Sequence, residues 1–206
     1  MKLRTLVIIS VLAVFTISCE YVFTTALDEQ WGERKVYNLR DRGPAGGRIF
    51  YINPNWETDG WRYMEAAPVE AEVSRRWIPL GGTESLIGTN GNIGAGAPNT
   101  NIIKSWVDSD PSHDAPAAEY CDSSTYGNKE DWFLPSRYEL NKIYENLNSG
   151  TEVVGSFGTK TYWSSSESSA QEVFYMTFAN PNPNFTSFKE NQYNIRCARR
   201  FLGEIY

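Results

Sequence analysis

The chain has 206 residues, with 25 acidic against 19 basic side chains and a formal net charge of −6. That balance argues against nucleic acid as the principal partner, because such binding needs a basic footprint, though an acidic chain can carry local basic patches, and the length suits one domain with a tail. Abundant aromatics (Trp 7, Tyr 12, Phe 10) beside few long helical patterns favour a compact, loop-rich fold over a helical bundle.

The chain opens MKLRTLVIISVLAVFTISCE. Lys2 and Arg4 precede an apolar run over residues 6–17 that is too short to cross about 30 Å of hydrocarbon comfortably, so residues 1–18 read as an export signal. The Ser18-Cys19 junction resembles the cut site of a bacterial lipoprotein signal, with Thr16 standing where Leu is usual. The expectation is cleavage before Cys19 and lipidation of that residue; ordinary cleavage near Ser18 and retention as an anchor are the alternatives. Residues 19–42, polar and mixed in charge, read as a tether, and residues 43–206 as the globular domain.

GPAGGRIFYI is a turn feeding a strand at Arg48–Ile52, with Gly46 and Gly47 supplying permissive dihedrals. NPNWETDG is then a loop, and WRYMEAA a second strand stopped by Pro68, so the two pair as a hairpin. Residues 81–98 are dense in glycine but lack the strand and spacing of a dinucleotide fingerprint and the Gly-Lys-Ser/Thr of a Walker loop. Asn99 or Thr100 is expected to cap a short helix, NIIKSWV, whose Ile102, Ile103, Trp106 and Val107 form an apolar face. A second short helix follows over residues 115–121.

In DWFLPSRYEL, Ser136 can accept from the first-turn N–H groups while Glu139 reaches back to it, a capping box. Leu140, Ile143, Tyr144 and Leu147 then recur at helical spacing, and Asn148 and Gly150 end the pattern. Pro135 biases Leu134 toward an extended conformation, so Trp132, Phe133 and Leu134 read as packing residues crossing the core. TYWSSS, EVFYMTF and YNIRCARRF read as antiparallel strands. With Cys19 lipidated, Cys121 and Cys197 remain, and an even remainder in an exported protein suggests a disulfide; two separate buried thiols are the alternative.

Taken in order, GGRIFYI, IGTNGNIGAGAPNT, DWFLPSRYEL, YWSSS and IRCARRF resemble, over residues 43–202, the bacterial domain family named after the C-terminal domain of the Legionella collagen-like adhesin. The combination carries the resemblance. That family is similar to C-type lectin-like domains, which implies an α+β fold: two or three short helices flank a small twisted antiparallel sheet, and long loops lie over it. It also implies that Cys121, near a helix, pairs with Cys197 in the last strand. Asp131, Trp132, Pro135, Ser136, Glu139, Trp163 and Arg199 then form a structural hub where helix, sheet and loop meet. If Cys197 points inward, so does Arg199, which needs a carboxylate; Asp131 and Glu139 are the nearest. The collagen-like repeats of the named adhesin are absent from this sequence, so its trimeric architecture does not carry over.

His113 is the only histidine and stands beside Asp114 in a Pro-flanked loop, where solvation is the expectation. No Ser-His-Asp set or zinc-ligand spacing is present, and the adjacent Glu130 and Asp131 read as solvated acids rather than a glycosidase pair. Formylglycine-generating enzymes share the lectin-like fold and a similar Leu-Pro stretch, but their copper chemistry needs a reduced cysteine pair. NPNPN only faintly echoes a lectin calcium motif. The expectation is a non-enzymatic domain without metal or cofactor, held at the outer membrane or cell surface of a bacterium by an acyl anchor in the lipid membrane. It would bind an extracellular glycan or matrix protein in adhesion; a structural or antigenic envelope lipoprotein is the alternative. Contacts are expected on the loops, with Trp56 and Phe185 as exposed aromatics, Asn182 and Asn184 as hydrogen-bonding neighbours, and Arg75 and Arg76 as a local cationic patch.

Overall fold

The computed structural model describes residues 34–205, so the signal of residues 1–18, Cys19 and the tether as far as residue 33 lie outside the described residues. Two units are present, Tyr37–Leu202 and the flanking ends. In the latter, Arg34 bridges Ile205 and Lys35 N donates to Glu204 O. Residues 37–42, expected in the tether, belong to the larger unit. Tyr37 is buried there edge-on to Tyr63 and Phe201, at ring centroid distances of 5.3 and 5.6 Å, and burial of that ring outweighs the polar neighbours that make the segment resemble a linker.

β1 (Arg48–Ile52) and β2 (Tyr63–Ala66) form the expected hairpin. The connecting loop contains one helical turn, α1 (Trp56–Asp59), closed by Gly60 at φ 75°. A 3-10 turn at Val69–Ala71 leads into β3 (Val73–Arg76), a strand that VSRR hides because it is short and lacks apolar alternation.

α2 (Gly96–Ser109) begins ahead of the expected cap. Asn99 and Thr100 are buried inside its first turns and do not cap it. Asn99 Nδ2 donates to Asn90 O (2.6 Å) and Ser165 Oγ (3.0 Å), and its Oδ1 accepts from Asn90 N (2.8 Å). Thr100 Oγ1 donates to Gly96 O and accepts from Leu134 N. Side chains that favour local caps are here recruited to distant loop backbone. Ile103 is buried while Ile102, expected on the apolar face, is exposed.

α3 (Pro116–Asp122) carries proline in its first turn, where the missing N–H costs nothing. α4 (Arg137–Ile143) has the complete capping box: Glu139 N donates to Ser136 Oγ (3.3 Å) and Ser136 N to Glu139 Oε2 (2.8 Å). A π turn at Tyr144–Asn148 ends it. β4 (Thr161–Glu167), β5 (Glu172–Thr177), β6 (Phe185–Phe188), β7 (Gln192–Ile195) and β8 (Ala198–Phe201) complete the unit.

YNIRCARRF is therefore two strands. β7 lies in a five-stranded sheet of order β3-β7-β4-β5-β6 and β8 in a three-stranded sheet of order β1-β2-β8. The break falls at Arg196 and Cys197, each committed elsewhere: Cys197 is bonded to Cys121, with Cα atoms 5.5 Å apart, and the Arg196 guanidinium is buried against Glu72. The expected single antiparallel sheet is thus two sheets, and β4 meets β7 in parallel at Tyr162 and Asn194. The fold is α+β with few helices.

Two larger apolar clusters fill it, beside a small one of Tyr37, Ile49 and Tyr63. One gathers Trp77, Ile103, Trp163, Ile195 and the disulfide; the other gathers Phe50, Met64, Leu140, Tyr162 and Phe178. Trp132 and Leu134 enter the first while Phe133 enters the second, as side-chain alternation along an extended segment requires. Each large side chain so buried contributes about 1.5–3 kcal/mol.

Candidate functional site

A cleft of about 410 Å³ opens between the turn before β1, the end of β2, Tyr126 and the loop at Gly155. Glycine shapes two of its walls. A Cβ on Gly47 would lie 2.0 Å from Ala66 O, so only glycine lets the turn close on β2; Gly127 (φ 66°) packs where a Cβ would meet Ala45 O at 2.6 Å. Glu65, buried beneath the turn, accepts from Gly47 N (2.7 Å) and Ala45 N (3.2 Å). Arg48 Nη1 donates to Arg40 O (3.1 Å), and Arg42, bridged to Arg48 through the backbone, has an exposed side chain. Trp132 Nε1 donates to Tyr126 O (3.0 Å), which fixes Tyr126 in the lining with its ring partly exposed.

Arg196 joins the remaining walls. Its Nη1 donates to both Ala67 O (3.1 Å) and Gly155 O (2.9 Å), while Nε and Nη2 share Glu72 Oε2 (3.2 and 2.6 Å). Burial pushes the Glu72 carboxyl up, but bonds from Lys160 and Arg196 outweigh it and hold the group below the ordinary glutamate value. Ser156, also in the lining, holds a left-handed backbone at φ 57° without being glycine, a costly conformation of the kind that collects at ligand sites. The lining includes Arg42, Arg48, Glu70, Tyr126 and Ser156 beside a short apolar ledge of Pro68 and Val69. Such a surface suits a polar, hydroxyl-bearing ligand held by several oriented hydrogen bonds, with charge-assisted ones from arginine.

The glycine-rich stretch of residues 81–98 is pinned by two buried carboxylates. Glu139 Oε1 accepts from Gly94 N (2.8 Å) and Gly96 N (3.2 Å). Burial raises its carboxyl above the ordinary value against the pull of the Ser136, Gly96 and Gly94 N–H groups. Glu167 accepts from Ile87 N and Gly88 N and pairs with Lys189 Nζ at 2.7 Å, both side chains buried.

The structure places the expected contact residues in three separate groups: Trp56, the turn of Asn182, Asn184 and Phe185, and the pair Arg75 and Arg76. Trp56 lies on α1 with the Arg62 guanidinium 5.2 Å from its ring centroid. Phe185 begins β6 and is half-buried against Tyr175, while Asn182 Oδ1 accepts from Asn184 N in a local turn. Arg75 and Arg76 are on β3, at the opposite edge of the five-stranded sheet from β6. None of these residues lines the Arg42 cleft.

Around the hub, Arg199 holds Asp131 through Nε (2.7 Å) and Nη2 (2.8 Å), and its second carboxylate is Glu65 rather than Glu139. Pro135 O accepts from Ser165 N, and Trp163, buried, donates through Nε1 to Arg75 O. Of the cleft residues missed in the sequence, Arg42 and Arg48 do leave a signal: RDRGPAGGR places these two, with Arg40, around a glycine turn, and reading it as a turn alone leaves their side chains without a role.

The family model for the Lcl C-terminal domain matches residues 89–199. The chain belongs to this family. Tyr126 and the loop at Gly155 fall within the matched Lcl segment, whereas Arg42, Arg48 and Glu70 precede it. Among solved structures, the Lcl chain is similar to a fimbrial protein from Bacteroides ovatus, with a TM-score of 0.52 and 14% identity over 77% of this chain and 45% of that one. It thus spans less than half of that protein, and the likeness is one of fold. No curated protein matches it.

Proposed function

We propose that the domain is the ligand-binding head of an adhesin-like protein at the bacterial surface, anchored to the outer membrane or cell surface through lipidated Cys19, with a C-type lectin-like fold. It takes an extracellular glycan or matrix polymer in the Arg42, Arg48 and Tyr126 cleft and acts by binding, without turnover, cofactor or nucleic acid. The cleft carries this reading: Tyr126, two arginines and Glu70 line one open concavity. Membership of a family named for an adhesin and a fold shared with a fimbrial protein support it. The disulfide supports binding over copper chemistry, because it consumes both cysteines of the described residues.

A glycan and matrix-protein array probed with the full chain tests the reading. Arg42→Ala with Tyr126→Ala is expected to weaken binding at least about tenfold, while Trp56→Ala with Phe185→Ala leaves it unchanged. Partial persistence at about 0.5 M salt is expected where stacking and neutral hydrogen bonds supplement charge. No binding up to about 1 mM would leave a structural envelope role in its place.

A further inference from the structure

β3 is the first strand of the five-stranded sheet and pairs with β7 alone among the described strands. Trp77 N and Ile78 N both donate to Lys189 O (2.9 and 3.2 Å), just before β7, and Arg75 O accepts the indole N–H of Trp163 (3.1 Å). Successive residues of a strand turn their N–H and C=O groups to opposite edges, so alternate residues of β3 leave theirs off the ladder with β7. Arg75 Nη1 meets Ser74 O at 3.1 Å.

A cleft of about 340 Å³ borders the strand, lined by Arg75, Arg76, Pro79, Leu80 and Pro116 among others. Leu80 is exposed on it, the Arg75 guanidinium lies 5.9 Å from the Tyr120 ring centroid, and Arg76 Nε is buried with no partner among the described residues. An open sheet edge is a template for another strand. A second copy of this strand fits poorly, because VSRR paired with VSRR gathers four arginines on one short ladder, where like charges repel.

We propose that β3 is a docking edge for an extended acidic peptide. The peptide adds a strand through main-chain bonds to the outer edge of β3, sets carboxylates against Arg75 and Arg76, and rests an apolar side chain on Leu80. The charge of −6 on the whole chain makes most of its surface repel such a peptide, so the two arginines select the edge. This surface is separate from the Arg42 cleft and does not depend on its ligand.

Fluorescence anisotropy of the full chain with a labelled peptide alternating Glu and Val tests the proposal. The peptide is expected to bind, one of the two frames of alternate N-methylation to weaken binding at least about tenfold, and a Lys-Val peptide to bind far more weakly. Arg75→Glu with Arg76→Glu should reverse the preference. If neither methylated frame weakens binding, the contact is charge capture without strand addition and the proposal fails. It fails equally if no binding is seen up to about 1 mM, or if the folded double variant keeps the preference for acid. Should circular dichroism show that variant unfolded, the methylation comparison on the native chain decides.

Discussion

Glu65 Oε2 and Arg199 Nη1 lie 3.3 Å apart with both side chains buried. Glu65 grips the turn that walls the Arg42 cleft and Arg199 grips Asp131, so one ion pair ties the first hairpin to the last strand. Burial raises the Glu65 carboxyl against the pull of Ala45 N, Gly47 N and Arg199. Arg199→Met removes the compensating charge and is expected to cost about 3–5 kcal/mol in urea denaturation at neutral pH. The deficit should shrink in acid as Glu65 takes a proton, and pairing the change with Glu65→Gln should cost less than the sum of the two.

Cys121 and Cys197 are 76 residues apart in sequence. Cross-linking over that separation contributes up to about 4.5 kcal/mol by loss of unfolded-chain entropy. Cys121→Ser with Cys197→Ser is expected to approach that loss in equilibrium denaturation, and reductant should lower the stability of the native chain while leaving the double variant unchanged.

Two opposed pH terms are expected. The folded Glu72 carboxyl titrates below the ordinary value of 4.5, so its contribution is fully present above 4.5 and is lost as pH falls through the folded value. Glu65 and Glu139 titrate above 4.5 when folded. There the folded chain takes the proton first, and stability rises as pH falls from neutral through their folded values, levelling off near 4.5. Melting temperatures across a pH series should show the rise diminished in Glu139→Gln and the acid-side fall diminished in Glu72→Gln.

Asn99 accepts from Asn90 N and, through Nδ2, donates to Asn90 O and Ser165 Oγ; Asn90 O also accepts from Ser166 Oγ, so the Asn90 N–H and the Ser165 hydroxyl are the groups that lose a partner without Asn99. Asn99→Ala is expected to cost about 1–3 kcal/mol, the penalty for leaving polar groups of that kind without partners. Amide hydrogen exchange should accelerate at Asn90 and its neighbours, while the amides of β4 and β5 stay protected.

What the sequence made legible was local. The Ser136 and Glu139 cap is readable because both partners occupy one helical turn, and the β1 and β2 hairpin because its turn chemistry and strand pattern agree. Glu139 also holds Gly94 and Gly96, which stand 45 and 43 residues away, and no pattern around Ser136 announces that. Glu65 looks like a solvent-facing acid in WRYMEAA, yet its partners stand 18 residues before it and 134 after. The strand break at Arg196 is hidden for the same reason: Glu72 and Cys121, which hold the chain there, are distant in sequence. The cleft was only half visible, since its arginines cluster in sequence while Tyr126 and Ser156 arrive through folding.

β1 and β2 close their sheet only with β8, and Cys121 finds its partner only at Cys197. The hairpin made first therefore waits for nearly the whole chain before its outer edge is covered. Such a protein gains little by folding as it emerges from the ribosome: an early stop or a stalled chain presents an open sheet edge, a free thiol and an uncompensated Glu65 together. Completion of the segment from Cys197 through β8 acts as a proofreading step, because a chain lacking it can neither lock its disulfide nor neutralise its buried acid.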